Sequence, residues 1–366
     1  MLLISASIFG QQNFIYINIE KIQGVDSLEV HKKNSEYVMK RVDAIEWTAG
    51  KTVVYPVDSD VAREVTFIPI SSENHELLTG KSIAVCTYPG EDVVVNGTIE
   101  KPETEGKFMK RIEELARIYA PADTILRQAS RVYAEKTQNG GDKDEAYEEY
   151  IKSSKVYEQK LADLSLQYIA QHPEDEKSVM AMAYVGNRIE EAVKMISPKV
   201  TNGPMSFIYN QIVNDARNNI LKEKAKTAVV EGIEAPDFTK ADQYGNKISL
   251  HQLRNRYVIL DFWGSWCGWC IKGFPEMKKY YEKYKDKVEI LGIACRDKKE
   301  KWLNAIDKHQ IPWLNVLNEG TPDITVLYGV DAYPTKIVIS PDGKILKKVV
   351  GEEPSFYTYL DELFGK

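Results

Sequence analysis

Cysteine is scarce in this chain: four residues in 366, at Cys86, Cys267, Cys270 and Cys295. So few thiols exclude a disulfide-stapled scaffold, and a single pair, Cys267 and Cys270, stands at motif spacing. Histidine is equally sparse, and His31, His75, His172, His251 and His309 form no cluster with carboxylates or thiols that would signal hydrolytic catalysis. A zinc site can be drawn from Cys267, Cys270, Cys295 and His309, but no second CxxC and no HxxxH pair supports it. An excess of positive charge is also missing. The net charge of −6 and a pI near 5.6 argue against nucleic-acid binding. The apolar run from Leu2 to Phe9 is too short to span a bilayer, and no Lys or Arg precedes it. Residues 1–12 read as the remnant of a secretory signal without its basic start, against the alternatives of a first strand or a tail. No cysteine follows that run closely enough to indicate a lipid anchor. What remains, 43% hydrophobic and 28% charged residues over this length, is enough for two or three packed domains.

The chemistry concentrates in Trp266-Cys267-Gly268-Trp269-Cys270. Before it, Tyr257 to Trp263 is β-branched and aromatic enough for a buried strand, and Gly264-Ser265 supplies a turn. After it, Ile271 to Tyr284 reads as a helix. A CxxC between strand and helix puts its first sulfur at a helix N-terminus, where free N–H groups and the macrodipole favour thiolate over thiol. The second sulfur, one turn on, is placed to attack a mixed disulfide formed by the first. The pair therefore reads as a redox dithiol. A structural disulfide is the alternative, which the strand–turn–helix setting disfavours.

The segment DFWGSWCGWC resembles the thioredoxin-fold active site, and its flanks resemble TlpA/ResA-type thiol-disulfide oxidoreductases across Gly232 to Lys366. The matching parts come in order: a lead-in at Gly232 to Phe238, a hairpin at Asp242 to Ile248, a core strand at Val288 to Ala294, and a closing hairpin from Ile337 to Val350. The resemblance implies an α/β fold, with a carboxy-terminal thioredoxin-like domain. It implies that Asp261, whose carboxyl burial would raise in pKa, accepts the proton of Cys270; a strand-end Asp bonded to backbone is the other reading. It makes Tyr333-Pro334 the cis-proline loop facing the dithiol, and Trp266, Gly268 and Trp269 its partner-contacting neighbours. Two positions depart from the family. Trp269 stands where most members have proline, so neither potential nor pKa transfers; its ring is a contact platform or folds back on the helix. Gly273 stands where several members carry a functional glutamate, which Glu276, on another helix face, does not replace. More weight therefore falls on Asp261.

Ahead of this domain, runs such as Phe14 to Ile19, Tyr37 to Met39, Thr52 to Val57, Val65 to Ile70 and Val93 to Val95 suggest an antiparallel sheet or sandwich over residues 13–105. The Pro89-to-Gly97 stretch weakly resembles an amino-terminal β-domain of unknown role fused to extracytoplasmic thioredoxin-like proteins. Residues 106–230 carry helical periodicity, in Phe108, Ile112, Leu115 and Tyr119 and again in Tyr150, Tyr157, Leu161, Leu164 and Tyr168, broken at Asn139 to Asp142. Lys222 to Lys226 and Gly232 read as a hinge into the domain at 231–366. Cys86 and Cys295 read as small buried hydrophobes. The expectation is a thiol-disulfide oxidoreductase, a reductase outside the cytoplasm and in contact with a membrane or not. It exchanges with disulfide-containing or dithiol proteins, is fed by an upstream electron-donating redox protein, and needs no bound cofactor or metal. A thiol peroxidase on the same fold is the runner-up, without a Pro-x-x-x-Thr-x-x-Cys element to support it; a redox-inert scaffold is the alternative of another class.

Overall fold

The computed structural model describes residues 13–365 apart from Glu36, Val38 and Asp58, so the expected signal remnant lies outside the described residues. The chain forms two compact units, one up to Arg217 and one from Asn218.

In the first unit, period-two burial builds two four-stranded sheets. One has the order β4–β1–β7–β8, from β1 (Asn13–Ile17), β4 (Val53–Val57), β7 (Val93–Gly97) and β8 (Pro102–Glu105). The other has the order β3–β2–β5–β6, from β2 (Val25–Lys33), β3 (Met39–Glu46), β5 (Arg63–Ser71) and β6 (Ile83–Thr87). Ile15, Ile17, Tyr55 and Val95 of the first sheet share a core with Leu28, Val30, Phe67 and Val85 of the second, which makes a sandwich. It is not wholly antiparallel, because β1 and β7 run parallel. Strand β3 escapes pattern reading for a physical reason: none of its residues is buried, so it carries no alternation.

Helices α1 (Lys107–Gln138) and α2 (Lys143–Gln171) follow, separated where Asn139 to Asp142 interrupts the periodicity. Asp142 ends the break by accepting from the N–H groups of Asp144 and Glu145, an N-cap on a charged, solvated first turn. Tyr119 packs inside and accepts from Ser165 Oγ at 3.1 Å, whereas Tyr147 and Tyr184 are exposed. Short helices α3 (Lys177–Met182), α4 (Ile189–Met195) and α5 (Pro198–Thr201) lead to α6 (Ser206–Ala228).

The residues read as a hinge, Lys222 to Lys226, are instead the end of α6. In the second unit Lys226 Nζ meets Asp331 Oδ2 at 2.6 Å, and Val229 enters the core with Phe238 and Leu260, which fixes this segment. The short hairpin of β9 (Thr239–Ala241) and β10 (Lys247–Ser249) precedes a five-stranded sheet. Its elements are β11 (Tyr257–Trp263), α7 (Gly268–Tyr284), β12 (Val288–Ala294), α8 (Lys299–Lys308), β13 (Leu314–Leu317), α9 (Ile324–Leu327), β14 (Thr335–Ile339), β15 (Ile345–Val350) and α10 (Pro354–Phe364). The order is β13–β12–β11–β14–β15, with β11 to β13 parallel, β14 antiparallel to β11, and β15 antiparallel to β14. Near-continuous apolar runs give β11, β12 and β14 two covered faces. Ile259, Trp263 and Val338 pack with α7, α8 and α10 on one face; Val258, Leu260 and Phe262 pack with Ile324 and Tyr328 on the other. Asp261 falls in the alternation with Ile259 and Trp263, a carboxylate in the middle of an apolar strand.

Gly292 lies beside Asp261 in the register, and its lack of a side chain has a packing cause. A Cβ there would collide with Asn315 Oδ1, which accepts from the Trp263 indole N–H at 3.0 Å in the buried core. Gly292→Ala should therefore cost about 2 kcal/mol or more, since the indole and the amide lose a buried hydrogen bond. Urea unfolding of the variant checks this; a midpoint equal to wild type would show that Asn315 moves aside freely.

Candidate functional site

The turn after β11 delivers Cys267 to the N-cap of α7, where the Cys270 N–H donates to its Sγ at 3.2 Å. The two sulfurs are joined in a disulfide. Before them, Asp297 clamps the turn: its carboxylate accepts from Ser265 N–H at 2.6 Å and from Ser265 Oγ at 2.8 Å. Cys267 is 6% exposed and Cys270 3%, a margin too small to rank them, so helix position distinguishes the two sulfurs better than access does.

The aromatic residues around the pair reach solvent, Trp266 at 51% and Trp269 at 66% exposure. Trp266 donates its indole N–H to Cys295 O at 3.0 Å and meets Tyr333 edge to face, with ring centroids 5.4 Å apart. Trp269 does not fold into the core; Lys272 Nζ sits 4.4 Å from its ring centre on the surface. The Tyr333–Pro334 bond is cis. The Trp266–Tyr333 contact therefore joins the CxxC turn to the loop before β14. Gly268 is the first residue of α7 and has open space where a side chain would stand.

Asp261 is buried, and its Oδ1 finds no hydrogen-bond partner among the described residues, so the strand-end reading with a backbone partner does not hold for that oxygen. The nearest cation is Lys336 Nζ at 3.9 Å, from the residue paired with Asp261 across β14, too far for a hydrogen bond. Lys336 is held by another carboxylate, Glu352 Oε2, at 2.6 Å. Burial pushes the Asp261 carboxyl up from 3.8 to about 6; Lys336 pulls it partly back and Glu352 adds to the rise.

Reading residues one at a time missed Lys336, Glu352 and Asp297. A usable signal existed for the first, a lone lysine in the apolar strand Thr335–Ile339. Glu352 and Asp297 lie in loops whose approach to the site depends on tertiary packing. Of the other thiols, Cys295 is buried, and burial pushes it well above the ordinary range, whereas Cys86 is only partly covered and rises, again by burial, to about 12.

A sheet of this order with a cysteine pair at the start of the helix after its central strand defines a thioredoxin-like thiol-disulfide exchange protein. Residues 232–348 match the AhpC/TSA family. The thiol-disulfide oxidoreductase ResA of Bacillus cereus is 37% identical over 123 residues, 33% of this chain and 70% of that protein. ResA of Bacillus subtilis is 34% identical over 139 residues, 37% of this chain and 77% of that protein. The thioredoxin domain of a thiol-disulfide oxidoreductase from Bacteroides vulgatus is 30% identical and covers 37% of this chain and 98% of its own, with a TM-score of 0.35. The chain belongs to the ResA family of thiol-disulfide oxidoreductases, and its β-rich and helical front is additional to the matched part.

A carboxyl that holds its proton more tightly when folded favours folding fully below its unfolded value near 3.8, and that contribution is lost as the pH rises through about 6. Asp261→Asn should therefore stabilise the oxidised protein relative to wild type at pH 8, by up to about 3 kcal/mol, with little gain at pH 4. Urea unfolding at the two pH values measures it, and an equal difference at both would mean that Asp261 titrates normally.

Proposed function

We propose that the chain reduces disulfides of partner proteins through Cys267 and Cys270, with Asp261 as the proton acceptor. The Cys267 thiolate attacks one sulfur of a partner disulfide, forming a mixed disulfide and releasing the other partner sulfur as thiolate. Asp261 takes the Cys270 proton, and the Cys270 thiolate attacks Cys267 Sγ. That step releases the second partner thiolate and leaves the Cys267–Cys270 disulfide, so two electrons have passed to the partner. The dithiol of an upstream redox protein returns them. Cys267 at the helix N-cap, bonded to a sulfur one turn further in, is the observation that carries this reading.

Trp266, Gly268, Trp269, Tyr333 and Pro334 form the contact surface for the partner, since large aromatic rings beside an unhindered glycine suit an extended chain laid across the sulfurs. The work is done outside the cytoplasm, a reading supported by the family resemblance; among the described residues no helix is long and apolar enough to cross a membrane. The sandwich at 13–105 and the helices at 106–230 act on partner choice or assembly, because the exchange chemistry uses residues of 231–366 alone.

Cys267→Ser should abolish reduction of insulin disulfides. Cys270→Ser should instead retain the attacking thiol and accumulate mixed disulfides with partner proteins, visible on non-reducing gels. Equal trapping by both variants, or unimpaired insulin reduction by Cys267→Ser, would reverse or sink the assignment.

A further inference from the structure

Glu352 follows β15 in a loop, yet its carboxylate fills the space that a side chain at Gly273 would occupy. Gly273 lies one turn after Cys270 on α7, so a carboxylate from a distant segment reaches the helix beside the cysteine pair. There it accepts from Lys336 Nζ at 2.6 Å and from the Tyr357 hydroxyl of α10. Lys336 is thus shared unequally, hydrogen-bonded to Glu352 and 3.9 Å from Asp261. Side-chain exposure rises along the row, from 3% at Asp261 and Lys336 to 17% at Glu352. A surface cavity of about 460 Å³ opens over its outer end, lined by Lys272, Gly273, Glu276, Tyr280, Glu352 and Tyr357 among others.

We propose that Glu352 and Lys336 are positioning residues for the resolving step: Glu352 draws the lysine ammonium away from Asp261, leaving Asp261 free to take the Cys270 proton, and Gly273 is the opening that admits it. The proposal rests on the exchange reading above. An ammonium in contact with Asp261 would hold that carboxylate ionised and make it a poor base. Held 2.6 Å from Glu352 instead, the same ammonium neutralises the second carboxylate and still tempers the first. The charged and titratable groups acting on Asp261 are Lys336 on β14, Glu352 in the loop after β15 and Tyr357 on α10; its neighbour on β12 is Gly292, and Glu276 of α7 acts on Tyr357 while it pairs with Lys279. The step is a proton transfer from Cys270 Sγ to an Asp261 oxygen, needing no further reactant, and the proton returns to Cys270 Sγ when the disulfide is next reduced.

The test is the pH dependence of mixed-disulfide release in the full-length protein, followed in a single turnover with a quenched partner peptide. In wild type the rate should rise with pH through about 6, as Asp261 ionises. Glu352→Gln removes the repelling carboxylate and frees Lys336 for Asp261, so the midpoint should fall by about one pH unit. Lys336→Met removes the cation and should move it up by about as much. Gly273→Ala, which pushes Glu352 out without altering any charge, should reproduce the downward shift. Opposite shifts for the two charge variants are not what a loss of packing produces. Should one of them fail to fold, Gly273→Ala together with infrared titration of the Asp261 carboxyl decides. An active wild type whose midpoint none of the variants moves would overturn this inference alone, whereas a wild type without exchange activity would overturn the exchange reading and this one together.

Discussion

A carboxylate in the middle of an apolar strand, with one oxygen lacking a hydrogen-bond partner, is the constraint on which the rest of the second unit depends. Burial of a charge costs far more than a typical domain can absorb unless the group is paired or neutral. Asp261 is buried but not fully paired: the sheet register places Lys336 opposite it at 3.9 Å, and that ammonium is hydrogen-bonded to Glu352. Burial leaves a carboxyl raised to about 6, the intermediate strength that the proposed proton transfer from Cys270 would require.

The cysteine pair relies on a different kind of support. Backbone geometry sets Cys267 at the cap, and the turn before it is held by hydrogen bonds to Asp297 as well as by the Trp266–Tyr333 ring contact. The flanking indoles differ in setting. Trp266 is tied to the Cys295 carbonyl and braced by Tyr333, while Trp269 is 66% exposed and meets Lys272 on the surface.

Much of this was legible in the residues. Strand β11 was readable to the residue from its near-continuous apolar run, and the bounds of β12 came with the family resemblance. The cysteine pair declared itself by spacing, and the helix break at Asn139 to Asp142 by its glycines. What stayed hidden depended on distance. Strand β3, with no buried face, has no pattern to read, and the parallel pairing of β1 with β7 joins residues about eighty apart. Glycine at 273 looked like the loss of a carboxylate; only the folded chain brings Glu352 into the space it leaves.

The two cysteines outside the pair carry a last consequence. Burial raises both Cys86 and Cys295 above the ordinary thiol range, so each forms thiolate less readily than an exposed cysteine, and a thiol is a feeble nucleophile compared with its thiolate. Cys295 is bonded through its backbone to the very indole that flanks the reactive sulfur, yet it offers no third anion to compete for a trapped partner. On the proposed exchange chemistry, both thiols would stay out of the thiolate traffic of the Cys267–Cys270 pair because each holds its proton more tightly than an ordinary cysteine.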